Sequence, residues 1–146
     1  MDLEKIYDKI YRYVYFRVND RTLAEDITQE TFLRYIGKYG NAGSVEIRYM
    51  YTIARNLCTD EYRRIKPESL SEEMEEIPGD SGISEEKMAV RQALEKLPYE
   101  DREILLIRYV NEEPAGTICK ALGISRFALY RRQKNAEDKL RRELEA

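Results

Sequence analysis

The feature that most constrains the fold of this chain is a series of helical apolar patterns that is interrupted once, by an acidic segment. Apolar residues recur at three- and four-residue spacing through both halves of the sequence, which is typical of amphipathic helices. The segment 67–83, PESLSEEMEEIPGDSGI, combines Pro, Gly and Ser with carboxylates that repel one another and bury little. No alternation typical of β-strands occurs. The sequence therefore predicts an all-α fold of two small helical lobes joined by a flexible acidic linker.

The first lobe, residues 1–66, is predicted to contain three to four helices. The first runs from Met1 to about Val18 and carries a stripe that we expect to be buried: Leu3, Ile6, Tyr7, Ile10, Tyr11, Val14 and Tyr15. The second follows Asn19-Asp20 and runs to Tyr35 or Tyr39, before a loop at 40–44. The third starts near Val45 or Glu46 and ends around Arg64. Its expected core face is Met50, Ile53, Ala54 and Leu57.

The second lobe, residues 84–146, is predicted to contain four helices. Ser84 is a candidate N-cap for the first, Pro98 opens the next, which runs through Val110, and Pro114 opens the third. On the last helix, one side carries Leu129, Ala136, Leu140 and Leu144. The opposite, exposed side carries Phe127, Arg131, Lys134 and Asp138, flanked by Tyr130 and Arg141.

The string ICKALGISRFALYRR predicts a helix-turn-helix within this lobe. Such a motif needs a small residue where two helices cross, a tight turn and apolar anchors beyond it. Cys119 is small, Gly123 can adopt the positive φ of the turn, and Ser125 can cap the following helix. Ile124 and Leu129 are the apolar anchors. An ordinary helical hairpin, which also favours Gly at the turn, is the alternative.

The charge of the chain is unevenly distributed. The net charge of −3 would by itself argue against a nucleic-acid partner. However, the net charge is +2 over residues 1–66, −7 over 67–90 and +2 over 91–146. Both lobes are mildly basic, so the free chain should bind duplex DNA weakly at physiological salt.

Several classes of function are disfavoured by composition. The chain has no histidine, no phosphate-binding loop and no nucleophile elbow, so we expect no enzyme, metal or cofactor. Cys58 and Cys119 lie in helical patterns without the spacing of a metal site or a disulfide framework. There is no apolar stretch as long as a membrane span and no leader pattern, so we expect a cytoplasmic protein without membrane insertion.

Four blocks, AEDITQETFLR, YTIARNLCTDEYRR, LEKLPYEDREILLIRYV and ALGIS, follow one another along nearly the whole chain. On these motifs the chain resembles a bacterial extracytoplasmic-function sigma factor, the two-lobed promoter-recognition subunit of RNA polymerase. The resemblance implies core RNA polymerase and promoter DNA as partners, and an anti-sigma factor as an inhibitor. It implies a region 2-like lobe at 1–66, a linker at 67–83 and a region 4-like lobe at 84–146.

In the first lobe, the resemblance implies that Asp26, Gln29 and Glu30 dock on the basic clamp coiled coil of the polymerase. The alternative is that they are solvated helix residues. The loop from Tyr39 to Ile47 and the helix after it correspond to the part that opens the -10 element, where a base is flipped out. The candidate -10 contacts are Tyr49, Tyr51, Arg55 and Asn56, with Arg63, Arg64 and Lys66 on phosphates. A core position for Tyr51 is the alternative.

In the second lobe, the resemblance implies that the last helix contacts the -35 element while the lobe packs on the polymerase flap. The candidates are Arg126, Tyr130, Arg131, Lys134 and Asn135, with Arg132 on a phosphate or packed along the lobe. A solvated basic face is the alternative. The family commonly has Trp at Tyr49, Glu-Ile-Ala at 117–119 and basic residues at Asn135 and Glu137, so the family's -35 sequence is not assumed.

An autonomous helix-turn-helix regulator that dimerises through its first lobe is the main alternative function. It accounts for the second lobe equally well, but it leaves the strings AEDITQE and IARNLCTDEYRR unexplained. A protein-only adaptor would leave the basic face of the last helix without a role.

Overall fold

The computed structural model describes residues 3–40, 45–64 and 84–145. Over these residues the chain forms seven α-helices: α1 Leu3–Val18, α2 Arg21–Tyr39, α3 Ile47–Arg64, α4 Glu85–Glu95, α5 Tyr99–Leu105, α6 Ala115–Leu122 and α7 Arg126–Glu145. A π-helical segment, Leu106–Val110, continues α5. The chain divides into two compact units, one built on α1–α3 and one on α4–α7. The predicted all-α, two-lobed class is confirmed, whereas the loop at 41–44 and the linker at 67–83 lie outside the described residues.

The ends of α2 are set by local chemistry, as the sequence predicts. The carboxylate of Asp20 accepts a hydrogen bond of 2.9 Å from the backbone N–H of Leu23, which caps the helix start. Gly40 ends the helix with a φ of 73°, and its N–H donates to the carbonyl of Ile36 at 2.8 Å. A glycine adopts this positive φ at little cost.

The first lobe buries a narrower stripe of α1 than the sequence predicts. Ile6, Ile10 and Val14 are buried as expected, together with Tyr13, which the expected stripe omitted. Leu3 is exposed in the first turn of the helix, and Tyr7, Tyr11 and Tyr15 are half-buried. These three tyrosines stack in a row beside the core. An amphipathic helix typically buries an arc of about 100° of its surface. The stacked tyrosines lie at the edge of the arc that α1 buries, so they are only half-buried.

The second lobe contains the predicted helix-turn-helix, formed by α6 and α7. Gly123 has a left-handed backbone with φ 67° and donates its N–H to the carbonyl of Cys119. The hydroxyl of Ser125 accepts a hydrogen bond of 3.1 Å from the N–H of Ala128, in the first turn of α7. Leu129 is fully buried, as an anchor should be. Ser84 likewise caps α4, through the N–H of Lys87 at 3.3 Å.

Val110, to which the second predicted helix of this lobe runs, is exposed and lies in the π-helical segment. One position in the lobe differs from the predicted core. Leu144 is exposed because it lies in the last turn of α7, beyond the cluster of Leu97, Leu105 and Ala136 that forms the core there. The cluster is completed by half-buried Leu94 and Leu140.

Candidate functional site

One face of α2 combines carboxylates with an exposed apolar residue. Asp26 and Gln29 are exposed, and the carboxylate of Glu30 pairs with the Nε of Arg34 at 3.0 Å. Leu33 lies on the same face, one turn beyond Gln29, because it follows Asp26 by seven residues and Gln29 by four. Its side chain is 65% exposed. Leu33 was not among the predicted contacts, although its helical spacing from Asp26 and Gln29 can be read from the sequence. The face can bind a basic partner that offers an apolar pocket.

A cluster of three tyrosines, Tyr35, Tyr39 and Tyr49, joins the end of α2 to the start of α3. The rings of Tyr39 and Tyr49 stack at 5.0 Å between centroids, with 13° between their planes. Tyr35 packs against Tyr39 at 4.9 Å. The guanidinium of Arg48 lies 4.9 Å from the ring centre of Tyr49, and the ammonium of Lys38 lies 5.5 Å from that of Tyr39. The result is an aromatic surface flanked by two cations, which suits a nucleobase and its phosphates.

The start of α3 is attached to this tyrosine cluster by polar contacts. The buried Tyr35 accepts a hydrogen bond of 2.8 Å on its hydroxyl from the backbone N–H of Glu46. The carboxylate of Glu46 in turn lies 3.5 Å from the Nε of Arg48. These contacts hold the first turn of α3, and with it the ring of Tyr49, against α2.

The remaining candidates on α3 do not all share one face. Tyr49 and Asn56 are exposed and seven residues apart, so they lie on the same face about 10 Å from each other along the helix. Arg55 is half-buried on a neighbouring face. Arg63 and Arg64 lie in the last turn, where the side chains are outside the described part of the chain, and Lys66 also lies outside it.

The prediction that Tyr51 contacts the -10 element is wrong, because Tyr51 is buried. Its side chain is 1% exposed, and its ring meets that of Tyr13 edge-on at 5.4 Å and 86°. A ring enclosed in this way has no face to offer a base. Tyr51 therefore occupies the core position that was the alternative prediction.

All six predicted DNA contacts are exposed positions of α7: Arg126, Tyr130, Arg131, Arg132, Lys134 and Asn135. Arg132 borders the buried side of the helix, because it follows the buried Leu129 by three residues and precedes the buried Ala136 by four. Phe127 stands among them with 75% of its surface exposed, and the guanidinium of Arg131 lies 5.8 Å from the centre of its ring. Guanidinium, ammonium and amide groups on one helix face can donate to base edges in a major groove.

The inner face of α7 is fixed by polar contacts as well as by its core. The ammonium of Lys139 lies 2.8 Å from the Oδ2 of Asp101, whose side chain is 12% exposed. The hydroxyl of Tyr109 donates to the carboxylate of Glu137, and the amide of Gln133 donates to both groups, at 3.3 and 3.1 Å. The hydrogen bond to Glu137, followed by burial, raises the pKa of Tyr109 above its usual value.

Among residues 3–40, 45–64 and 84–145, no group of potential ligand side chains is placed to hold a metal ion. Within the same residues, no helix is both long enough and apolar enough to cross a bilayer.

Comparison with known families accounts for both lobes. Residues 3–67 match the family Sigma-70 region 2, and residues 87–140 match Sigma-70, region 4. The fold and these two matches define a two-lobed helical protein of the sigma-70 class.

The relatives narrow this class further. The chain is 32% identical to the extracytoplasmic-function (ECF) RNA polymerase sigma factor BldN of Streptomyces coelicolor, over 88% of this chain and 53% of BldN. It is 28% identical to the ECF sigma factor SigW of Bacillus subtilis, over 98% of this chain and 87% of SigW. The chain thus spans about half the length of BldN and most of SigW. It belongs to the ECF sigma factors.

The fold also matches a solved structure. The sigma factor RpoE of Bartonella quintana, crystallised with the anti-sigma factor NepR, superimposes with a TM-score of 0.73, covering 97% of this chain and 92% of RpoE. At 17% sequence identity, this is a likeness of fold.

Proposed function

We propose that this chain binds core RNA polymerase and directs transcription initiation at specific promoters, through -10 melting and -35 recognition. The observation that carries the proposal is that one chain matches Sigma-70 region 2 and region 4 in that order, at 3–67 and 87–140. The protein acts in the cytoplasm by binding, with no catalytic step of its own.

In this proposal the first lobe, residues 1–66, docks on the clamp coiled coil through Asp26, Gln29 and Glu30. The acidic character of the α2 face suits a basic partner, and exposed Leu33 adds apolar area next to it. Individual exposed ion pairs contribute about 0–1 kcal/mol, so the carboxylates provide orientation and association rate more than affinity.

The same lobe opens the -10 element with its tyrosine cluster. A base extruded from the duplex can stack on the exposed part of Tyr49, while the amide of Asn56 can donate to a base edge. Unstacking a base costs a few kcal/mol, and stacking on an aromatic side chain returns about 1–3 kcal/mol. Arg55, Arg63 and Arg64 are proposed to hold the phosphates.

The second lobe, residues 84–146, contacts the -35 element through α7 and packs on the polymerase flap. The linker at 67–83 lets the lobes reach separate promoter elements. Since the net charge is only +2 over residues 1–66 and +1 over residues 84–146, the free chain neutralises few phosphates and binds promoter DNA weakly. The polymerase supplies the remaining affinity.

Reconstitution with core polymerase tests this proposal. Run-off transcription on a promoter library should yield defined start sites only when the chain is added to core enzyme. A gel shift should detect tight promoter binding by the holoenzyme and little binding by the free chain. Failure to associate with core polymerase would refute the proposal. Tight specific binding without polymerase would instead indicate an autonomous regulator.

A charge reversal on α2 separates docking from DNA binding. Asp26→Arg should weaken association with core polymerase, because it places a cation against a basic surface. Asp8→Arg is the matched control, since it makes the same charge change at an exposed aspartate of α1. Equal association by both variants, with both folded, would remove α2 from the interface.

An anti-sigma factor is a further proposed partner. The structure of Bartonella quintana RpoE, which shares the fold, was determined in complex with the anti-sigma factor NepR. The exposed α2 face offers such an inhibitor a surface whose occupation would exclude the polymerase. A candidate inhibitor should therefore lose affinity for the Asp26→Arg variant and retain it for Asp8→Arg.

A further inference from the structure

Phe127 is an apolar ring in an unusual place. It is the second residue of α7, and it is the most exposed of the large apolar side chains in the described part of the chain, at 75%. Its neighbours on the exposed face of α7 are Arg126, Tyr130, Arg131 and Lys134. The ring contributes nothing to the core of the lobe, whose anchor on this turn is the fully buried Leu129.

We propose that Phe127 is a specificity-determining residue that contacts the 5-methyl group of a thymine in the -35 element. This inference rests on the proposed function of the second lobe. In the major groove, thymine is the base that presents a methyl group, and an apolar side chain such as Phe can contact it. The cations around Phe127 favour a polyanion as the occupant of this face over a protein surface, which would have to desolvate them.

The contact between Phe127 and Arg131 makes the proposal more specific. The guanidinium lies 5.8 Å from the ring centre, so both groups project from the same side of α7. Residues four apart on a helix are separated by about 6 Å along its axis, and stacked base pairs by about 3.4 Å. A guanine bound by Arg131 should therefore lie within about two base pairs of the thymine contacted by Phe127.

Replacing thymine by deoxyuridine removes that methyl group alone, which makes it a direct probe. The holoenzyme is assayed by titration on a fluorescent promoter chosen from the run-off library, with each -35 thymine replaced singly by deoxyuridine. We expect one position at which deoxyuridine lowers the promoter affinity of the wild-type holoenzyme about fourfold. A loss of this size corresponds to the burial of one methyl group. The Phe127→Ala holoenzyme should bind the thymine promoter and the deoxyuridine promoter with equal affinity. That affinity should match the affinity of the wild-type holoenzyme for the deoxyuridine promoter. Phe127→Leu, which keeps an apolar side chain, should retain part of the preference.

Two controls assign the effect to the base contact. Leu144→Ala removes another exposed apolar side chain from α7, and this variant should keep the full preference for thymine. Association of Phe127→Ala with core polymerase in the absence of DNA should equal that of wild type. A loss of that association would mean that Phe127 contacts the polymerase, and would overturn the inference.

Other outcomes are equally decisive. A uridine scan without effect on a wild-type holoenzyme that binds the promoter would refute the thymine contact and leave the proposed function standing. An equal uridine effect in wild type and Phe127→Ala would place the methyl contact on another residue. A wild-type holoenzyme that binds no promoter would refute the proposed function, and the inference with it.

Discussion

Tyr49 and Tyr51 lie two residues apart on α3 in opposite surroundings, so their replacement separates a surface role from a core role. Tyr51 is 1% exposed and packs edge-on against Tyr13. Truncating a large buried aromatic residue to Ala costs about 3–5 kcal/mol. A domain of 60–100 residues loses roughly 4–8 °C in Tm for each kcal/mol. Tyr51→Ala should therefore lower the Tm of the first lobe by at least about 12 °C.

Tyr49→Ala should have a smaller effect on stability. Tyr49 is 36% exposed. The substitution removes the stack of its ring with Tyr39 and the contact of its ring with Arg48. Such contributions amount to about 0.5–1.5 kcal/mol for the aromatic pair and about 0.5–1 kcal/mol for the exposed cation–π contact. The variant should remain folded at 25 °C, yet its holoenzyme should lose the stacking surface for the extruded base.

The two variants are compared by thermal unfolding of the full chain, followed by circular dichroism, and by 2-aminopurine fluorescence at the -10 element in the holoenzyme. Tyr51→Phe is the control, because it keeps the buried ring and should recover most of the stability. If Tyr51→Ala unfolded at the wild-type temperature but failed to open the duplex, the ring would be a base contact and the argument from burial would be wrong.

Three further changes test the contacts that hold the helices. Asp20→Ala removes the N-cap of α2 and should cost about 1 kcal/mol in urea unfolding; a loss below about 0.3 kcal/mol would contradict the capping role. Lys139→Met leaves the largely buried carboxylate of Asp101 without its partner and should cost about 1–3 kcal/mol, while the double variant with Asp101→Asn should recover part of this. Tyr109 has a raised pKa because it donates to Glu137, so its contribution to stability should be constant below pH 10 and lost as the pH rises through the raised pKa. The stability difference between wild type and Tyr109→Phe in urea should therefore shrink from pH 8 to pH 11, and a constant difference would contradict this.

The helix ends could be predicted from sequence because their causes are local. Asp20, Ser84 and Ser125 accept hydrogen bonds from N–H groups three residues further along, and Gly123 supplies the left-handed backbone of the turn. Each requires only a short stretch of chain. The exposed face of α7 was predictable for a similar reason, since helical periodicity alone separates Arg131 from the buried side.

Features that depend on a partner helix could not be predicted in this way. Periodicity did not distinguish Tyr13 from Tyr11 on α1, because both lie near the apolar stripe and only the packing of the other helices decides which is buried. The stack of Tyr39 on Tyr49 requires the end of α2 to meet the start of α3. The π-helical segment that contains Val110 was not predicted, because nothing in its sequence pattern signals a π-helical turn.

The contacts of α7 divide the helix into a supported part and a binding part. Lys139 and Glu137 attach its second half to Asp101 and Tyr109, while Phe127 and the exposed basic residues project mainly from its first half. The carboxylate of Glu137 is thus engaged within the lobe. We therefore expect sequence preference to be set by the first three turns of α7, where substitutions can change promoter choice without unfolding the lobe that holds them.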